Sequence, residues 1–122
     1  DINDFKNPIS NNIMQSIYSY LGSLYNGKAV RVEVVKMHPR SVIRSHVDGG
    51  IMLQRARRIH IPIITNPDVI FEVFGEEKNM KVGNWYEINN IIPHSVSNNS
   101  DLDRIHIIID VMPNKELEES NA

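Results

Sequence analysis

The stretch Arg104-Ile105-His106-Ile107-Ile108-Ile109-Asp110-Val111-Met112 changes character at almost every second position. Successive side chains of an extended strand point to opposite faces. Ile105, Ile107, Ile109 and Val111 therefore share one face, and Arg104, His106, Ile108 and Asp110 share the other. The first face must be covered by apolar neighbours. The second carries a guanidinium, an imidazole and a carboxylate among isoleucines, and each of these needs a partner to be buried. Pro113 ends the strand.

Much of the remaining chain has the same short period. Ala29 to Met37 is rich in Val and reads as a strand stopped by Pro39, and Ser41 to Val47 as a second extended piece. Arg57 to Thr65 places Ile59, Ile61 and Ile63 on one face and Arg58 with His60 on the other. Asn66-Pro67-Asp68 is a turn. Val69 to Phe74 is a strand, Gly75 to Asn79 a charged hairpin loop, and Met80 to Val82 its return strand. Trp85 to Ile88 is a brief strand between the turns Gly83-Asn84 and Asn89-Asn90. Only Pro8 to Tyr25 follows a helical period, with Ile13, Ile17, Tyr20, Leu21 and Leu24 as its apolar stripe. Ser10 is its candidate cap, and Asn26-Gly27 suits a left-handed end. Residues 1–7 and the acidic segment 114–122 read as loose ends. Many short strands with frequent turn signals predict a mainly β sandwich or barrel of the jelly-roll kind, with one N-terminal helix. At 122 residues the chain is expected to form one domain, its β core running from about 29 to 113.

Net charge is −2 with interspersed signs, so no basic field for nucleic acid is present. Cysteine is absent, which rules out thiolate metal sites and thiol nucleophiles and fits a reducing, cytoplasmic compartment. No apolar run approaches the roughly 20 residues of a membrane span. No secretory signal is visible, and a chain opening on Asp1 leaves targeting unread.

The chemistry-bearing residues lie in three places. His46 and Asp48 are two apart on an extended segment and so share a face. With His94 they supply the two-His-one-carboxylate set that holds Fe(II) and leaves coordination positions open. Left to itself, a His-x-Asp pair is also met in solvated turns. Arg104 and Arg58 add weight, each standing beside isoleucines on a separate strand. A guanidinium there needs an anion: a carboxylate of the chain, with Asp110 and Glu72 as candidates for Arg104, or a bound dicarboxylate. His106 reads as a donor behind the cavity, a pocket wall or a core histidine. His38, before Pro39, reads as solvent-facing, Arg55 and Arg57 as surface charges, and Trp85 and Tyr86 as core aromatics.

The order and gaps of these pieces resemble the aspartyl/asparaginyl β-hydroxylase family of 2-oxoglutarate-dependent oxygenases. The resemblance runs from about Val35 to Pro113. It rests on His46 before a glycine turn, Arg58-Ile59-His60 opening a strand, Gly83 with Trp85-Tyr86, and Ile92-Pro93-His94-Ser95-Val96-Ser97-Asn98. Arg104 before the Ile-rich strand ending Asp110-Val111-Met112-Pro113 completes it. The resemblance implies a double-stranded β-helix (cupin-like) fold, with His46 and His94 as iron ligands. It implies Arg104 on a carboxylate of 2-oxoglutarate, with Arg58 a second cosubstrate contact and His60 close to it. The cofactors would be Fe(II), 2-oxoglutarate and O2, and the substrate an amino acid or a residue in a peptide or protein. Two departures stand out. Asp48 occupies the position of a glycine in the mammalian namesakes and restores the ordinary triad, as in bacterial relatives. Val35 falls near the place of a cosubstrate-holding serine. A cupin-like metal-binding module without oxygenase activity would use His46, Asp48 and His94 without needing Arg104.

Overall fold

A computed structural model describes residues 8–47, 49–50 and 54–116. Helix α1 (Pro8–Tyr25) is followed by strands β1 (Gly27–Met37), β2 (Ser41–His46), β3 (Arg57–Ile64), β4 (Val69–Val73), β5 (Glu76–Lys78), β6 (Tyr86–Ile88), β7 (His94–Asn98) and β8 (Arg104–Pro113). They form two four-stranded sheets, ordered β1-β8-β3-β6 and β2-β7-β4-β5, in which every recorded pairing is antiparallel.

β8 is central to the first sheet, paired with β1 on one edge and β3 on the other. Its alternation is resolved as two buried faces. Ile107, Ile109 and Val111 join Ile59 of β3 in a core that α1 covers with Met14 and Leu21. The opposite face of the sheet carries Arg104, His106 and Asp110, all buried. A second core forms around Met37, Val69, Phe71, Met80 and Val96.

The helix bounds agree with the periodicity, but its docking face is rotated. Met14 and Leu21 are buried, with Ile17, Tyr18 and Tyr25 packed beside them. Ile13, Tyr20 and Leu24 remain 55%, 50% and 52% exposed. Spacings of 7 and 4 residues between positions 14, 21 and 25 follow one side of an α-helix as well as the expected stripe does. The helix already includes Ser10, so Ser10 is not its N-terminal boundary. Asn26 takes a left-handed φ of 48°, as the Asn-Gly pair suggests. Gly27 is required by space, because a Cβ there would overlap the Met112 carbonyl across the β1–β8 pair.

The hairpin after β4 differs from the sequence reading. The return strand is Glu76–Lys78, placed directly after Phe74 and Gly75, whose φ values of 52° and 76° make a tight two-residue turn. Three charged residues read as loop because the strand is an exposed sheet edge, where charge is tolerated and discourages edge pairing. Met80 is instead a core residue. Trp85 also departs from its expected core position. It is 42% exposed and meets Tyr20 edge-on, ring centroids 6.3 Å apart.

Candidate functional site

β2 and β7 bring the two histidines together. Their ladder runs Ser41↔Asn98, Val42↔Ser97, Ile43↔Val96, then shifts register and sets His46 opposite His94. Along β7 the period of two buries His94, Val96 and Asn98. The imidazole centroids are 4.4 Å apart, with the ring planes inclined at 58°. Phe71 of β4 stacks on His94 at 5.5 Å and 14°.

Each ring is oriented by its own backbone. Nδ1 of His46 lies 2.8 Å from the Arg44 carbonyl and Nδ1 of His94 lies 2.9 Å from the Ile92 carbonyl. A carbonyl only accepts, so each neutral ring carries its proton on Nδ1 and its lone pair on Nε2. This is the tautomer and the type of support found in metal-binding histidines. Asp48, the expected third ligand, lies outside the described residues. Among the described residues no group of three metal-ligating side chains is formed.

Residues of both sheets line a partly open cavity of about 80 Å³. Its walls include His46, His94, Arg58, His60, Arg104 and Phe71. Arg104 opens β8 opposite Met37 of β1 and is 2% exposed. Among the described residues its Nε has no hydrogen-bond acceptor and no carboxylate pairs with it. Burial pushes its pKa down to about 10, which leaves it charged at neutral pH. Of the two chain carboxylates considered for it, neither is used. Asp110 pairs instead with Arg58, which lies directly opposite in the β3–β8 ladder: Nε donates to Oδ1 at 2.9 Å and Nη2 to Oδ2 at 3.0 Å. Glu72 sits at an exposed position of β4.

His60 shares the cavity wall with these arginines. Its Nδ1 lies 3.1 Å from Nδ1 of His106 on β8, the rings nearly perpendicular at 83°. Burial, then the neighbouring His106, then the positive charges of Arg104 and Arg58 push the His60 pKa down to about 2. Burial and the charge of Arg104 push His106 down to about 3. Both rings are neutral at physiological pH.

Phe71 was not marked by the sequence as a site residue. It contacts His94 face-on and His60 edge-on, the latter at 6.0 Å between centroids. In sequence it is one more aromatic in a strand, and only the pairing of β4 with β7 sets it beside the histidines. His38 is exposed, as expected before Pro39.

The arrangement sets two imidazoles in the wall of a small cavity and, in the same wall, a guanidinium that no carboxylate among the described residues neutralises. Such a site suits a metal ion together with an anion. No curated protein matches the chain. Several solved structures share its fold. A predicted oxalate decarboxylase from Thermotoga maritima is 17% identical with a TM-score of 0.55, the match covering 74% of this chain and 71% of that one. A cupin domain from Bordetella pertussis is 19% identical with a TM-score of 0.54, covering 69% and 82%. AerE from Microcystis aeruginosa is 16% identical with a TM-score of 0.53, covering 70% of this chain and 40% of its own. These likenesses identify the cupin, or double-stranded β-helix, architecture. The family model for aspartyl/asparaginyl β-hydroxylase matches residues 6–113, and to that family the chain belongs.

Proposed function

We propose that this chain is an Fe(II)/2-oxoglutarate-dependent dioxygenase that hydroxylates an amino acid or a residue in a peptide or protein. The observation that carries the reading is Arg104, buried in the cavity wall with no carboxylate among the described residues to neutralise it. A buried cation is tolerated when an anion meets it, and a carboxylate matches the fork of a guanidinium. The two histidines in the same cavity present Nε2 lone pairs suited to borderline metals such as Fe(II).

In this reading Nε2 of His46 and Nε2 of His94 hold the metal, with the Asp48 carboxylate as third ligand. Arg104 and His60 hold a carboxylate of the cosubstrate. Arg58 lines the cavity with its Nε and Nη2 engaged by Asp110, so its charge is balanced by that carboxylate and it serves as a wall more than as a second fork. Phe71, Val96 and Ile108 form apolar walls that limit water around the bound groups. A bound Fe(II) with 2-oxoglutarate would supply oxygen-dependent decarboxylation to succinate coupled to hydroxylation of a C–H bond. The residues themselves bind and orient, and no general base is needed. A single domain in the cytoplasm fits this reading. Among the described residues no helix is long and apolar enough to cross a membrane.

A cupin-like metal-binding module without oxygenase activity would use the same histidines but gives Arg104 no task. Turnover distinguishes the two. Incubation with Fe(II), 2-oxoglutarate and air, with pooled amino acids and peptides, should yield succinate and a product one oxygen heavier. Retained metal without any succinate, uncoupled turnover included, would favour the non-oxygenase module.

A further inference from the structure

The buried His60–His106 pair requires one ring to donate and the other to accept through Nδ1. The alternatives differ in what they leave at the far nitrogen of His106. That atom, Nε2, is buried and has no hydrogen-bond partner among the described residues. If His60 donated, His106 would carry its proton on Nε2, an N–H sealed away from any acceptor and within the field of Arg104. If His106 donates, its Nε2 is a bare lone pair in that positive field, which the field favours. The second arrangement therefore prevails. It leaves His60 accepting at Nδ1 and carrying its proton on Nε2. His60 lines the cavity with Arg104, whereas His106 stands behind it, outside the cavity lining.

We propose that His106 is a positioning residue: by donating from Nδ1 it holds His60 in the Nε2–H tautomer, giving the cavity a fixed neutral donor beside the Arg104 guanidinium. The occupant such a pair fits is a carboxylate, with one oxygen on a charged donor and one on a neutral donor. Two donors of fixed geometry also select a planar carboxylate over a spherical anion such as chloride. The carboxylate's identity as 2-oxoglutarate rests on the hydroxylase reading; the tautomer assignment does not.

The test is a two-bond ¹H–¹⁵N correlation spectrum of histidine-labelled protein at pH 7.5, free of metal and cosubstrate. His60 is expected as the Nε2–H tautomer and His106 as the Nδ1–H tautomer. The reverse assignment, tautomer averaging at His60, or a doubly protonated ring overturns the proposal. In a second arm, His106→Leu should blur the His60 tautomer and weaken 2-oxoglutarate binding about tenfold while metal retention stays unchanged. His106→Asn, whose amide N–H can replace the donor, should restore most of both. A His106→Leu protein with an intact His60 tautomer refutes the positioning role. Expected tautomers in a wild-type protein with no affinity for 2-oxoglutarate uphold the positioning role and refute the hydroxylase reading instead.

Discussion

Replacing Arg104 by methionine should stabilise the empty protein while abolishing cosubstrate binding. Burial lowers the Arg104 pKa from 12.5 to about 10. At about 1.4 kcal/mol per pH unit, holding that charge inside the sheet costs the fold roughly 3 kcal/mol. The folded pKa is the lower one, so the cost persists across the neutral range and is relieved only as pH rises through about 10. Methionine removes this cost but fills the space less completely, so the net gain should be about 1–3 kcal/mol. With a urea m-value of about 1–3 kcal/mol/M, the unfolding midpoint of the metal-free variant should rise by roughly 1 M. Adding Mn(II) and 2-oxoglutarate at about a hundred times its dissociation constant should stabilise the wild type by about 2.7 kcal/mol. The variant should show only the metal's share. The reasoning is refuted if Arg104→Met costs about 3–5 kcal/mol, the signature of a broken internal ion pair.

Other consequences concern different parts of the site. Asp110→Asn removes the buried carboxylate charge that accepts from the Arg58 Nε and Nη2 and should cost about 3–5 kcal/mol in urea unfolding; an unchanged midpoint would show the pair to be dispensable. Stability should fall with acidification, because His60 and His106 have folded pKa values of about 2 and 3, below their unfolded value near 6.5. Their contribution is complete above about pH 6.5 and is lost as pH falls towards 3, at up to about 1.4 kcal/mol per unit for each ring; a Tm flat between pH 7.5 and 5.5 would contradict this. His94→Ala should abolish metal retention, and Asp48→Gly should weaken it, both read by metal analysis of protein purified without chelator. Equal iron occupancy in the Asp48 variant would remove that carboxylate from the ligand set.

The parts of the fold legible in the sequence were those with a strict local period. β8 alternates, and its period places Arg104 and His106 on one face without further information, whereas β7 was not read as a strand and the burial of His94 emerges only from the structure. The helix bounds were legible for the same reason, but its rotation was not, since Met14 becomes a core residue, with Tyr25 packed beside the core, only through the surface of the sheet beneath them. β5 was hidden because an exposed edge strand of Glu-Glu-Lys carries no apolar signal. The pairing of Asp110 with Arg58 was hidden because it depends on cross-strand register, which sets partners 52 residues apart opposite each other. The same holds for the contact between His60 and His106. The sequence marked both as inward-facing histidines, but only the β3–β8 ladder brings their Nδ1 atoms within hydrogen-bond distance.

The central claim is that one cavity holds a metal on His46 and His94 and a dicarboxylate on Arg104. Anaerobic titration of 2-oxoglutarate into the Fe(II)-loaded protein, followed by visible absorption, tests both halves at once. A weak metal-to-ligand band that saturates at one equivalent is the predicted result. Retained iron with no band at any cosubstrate concentration would contradict it.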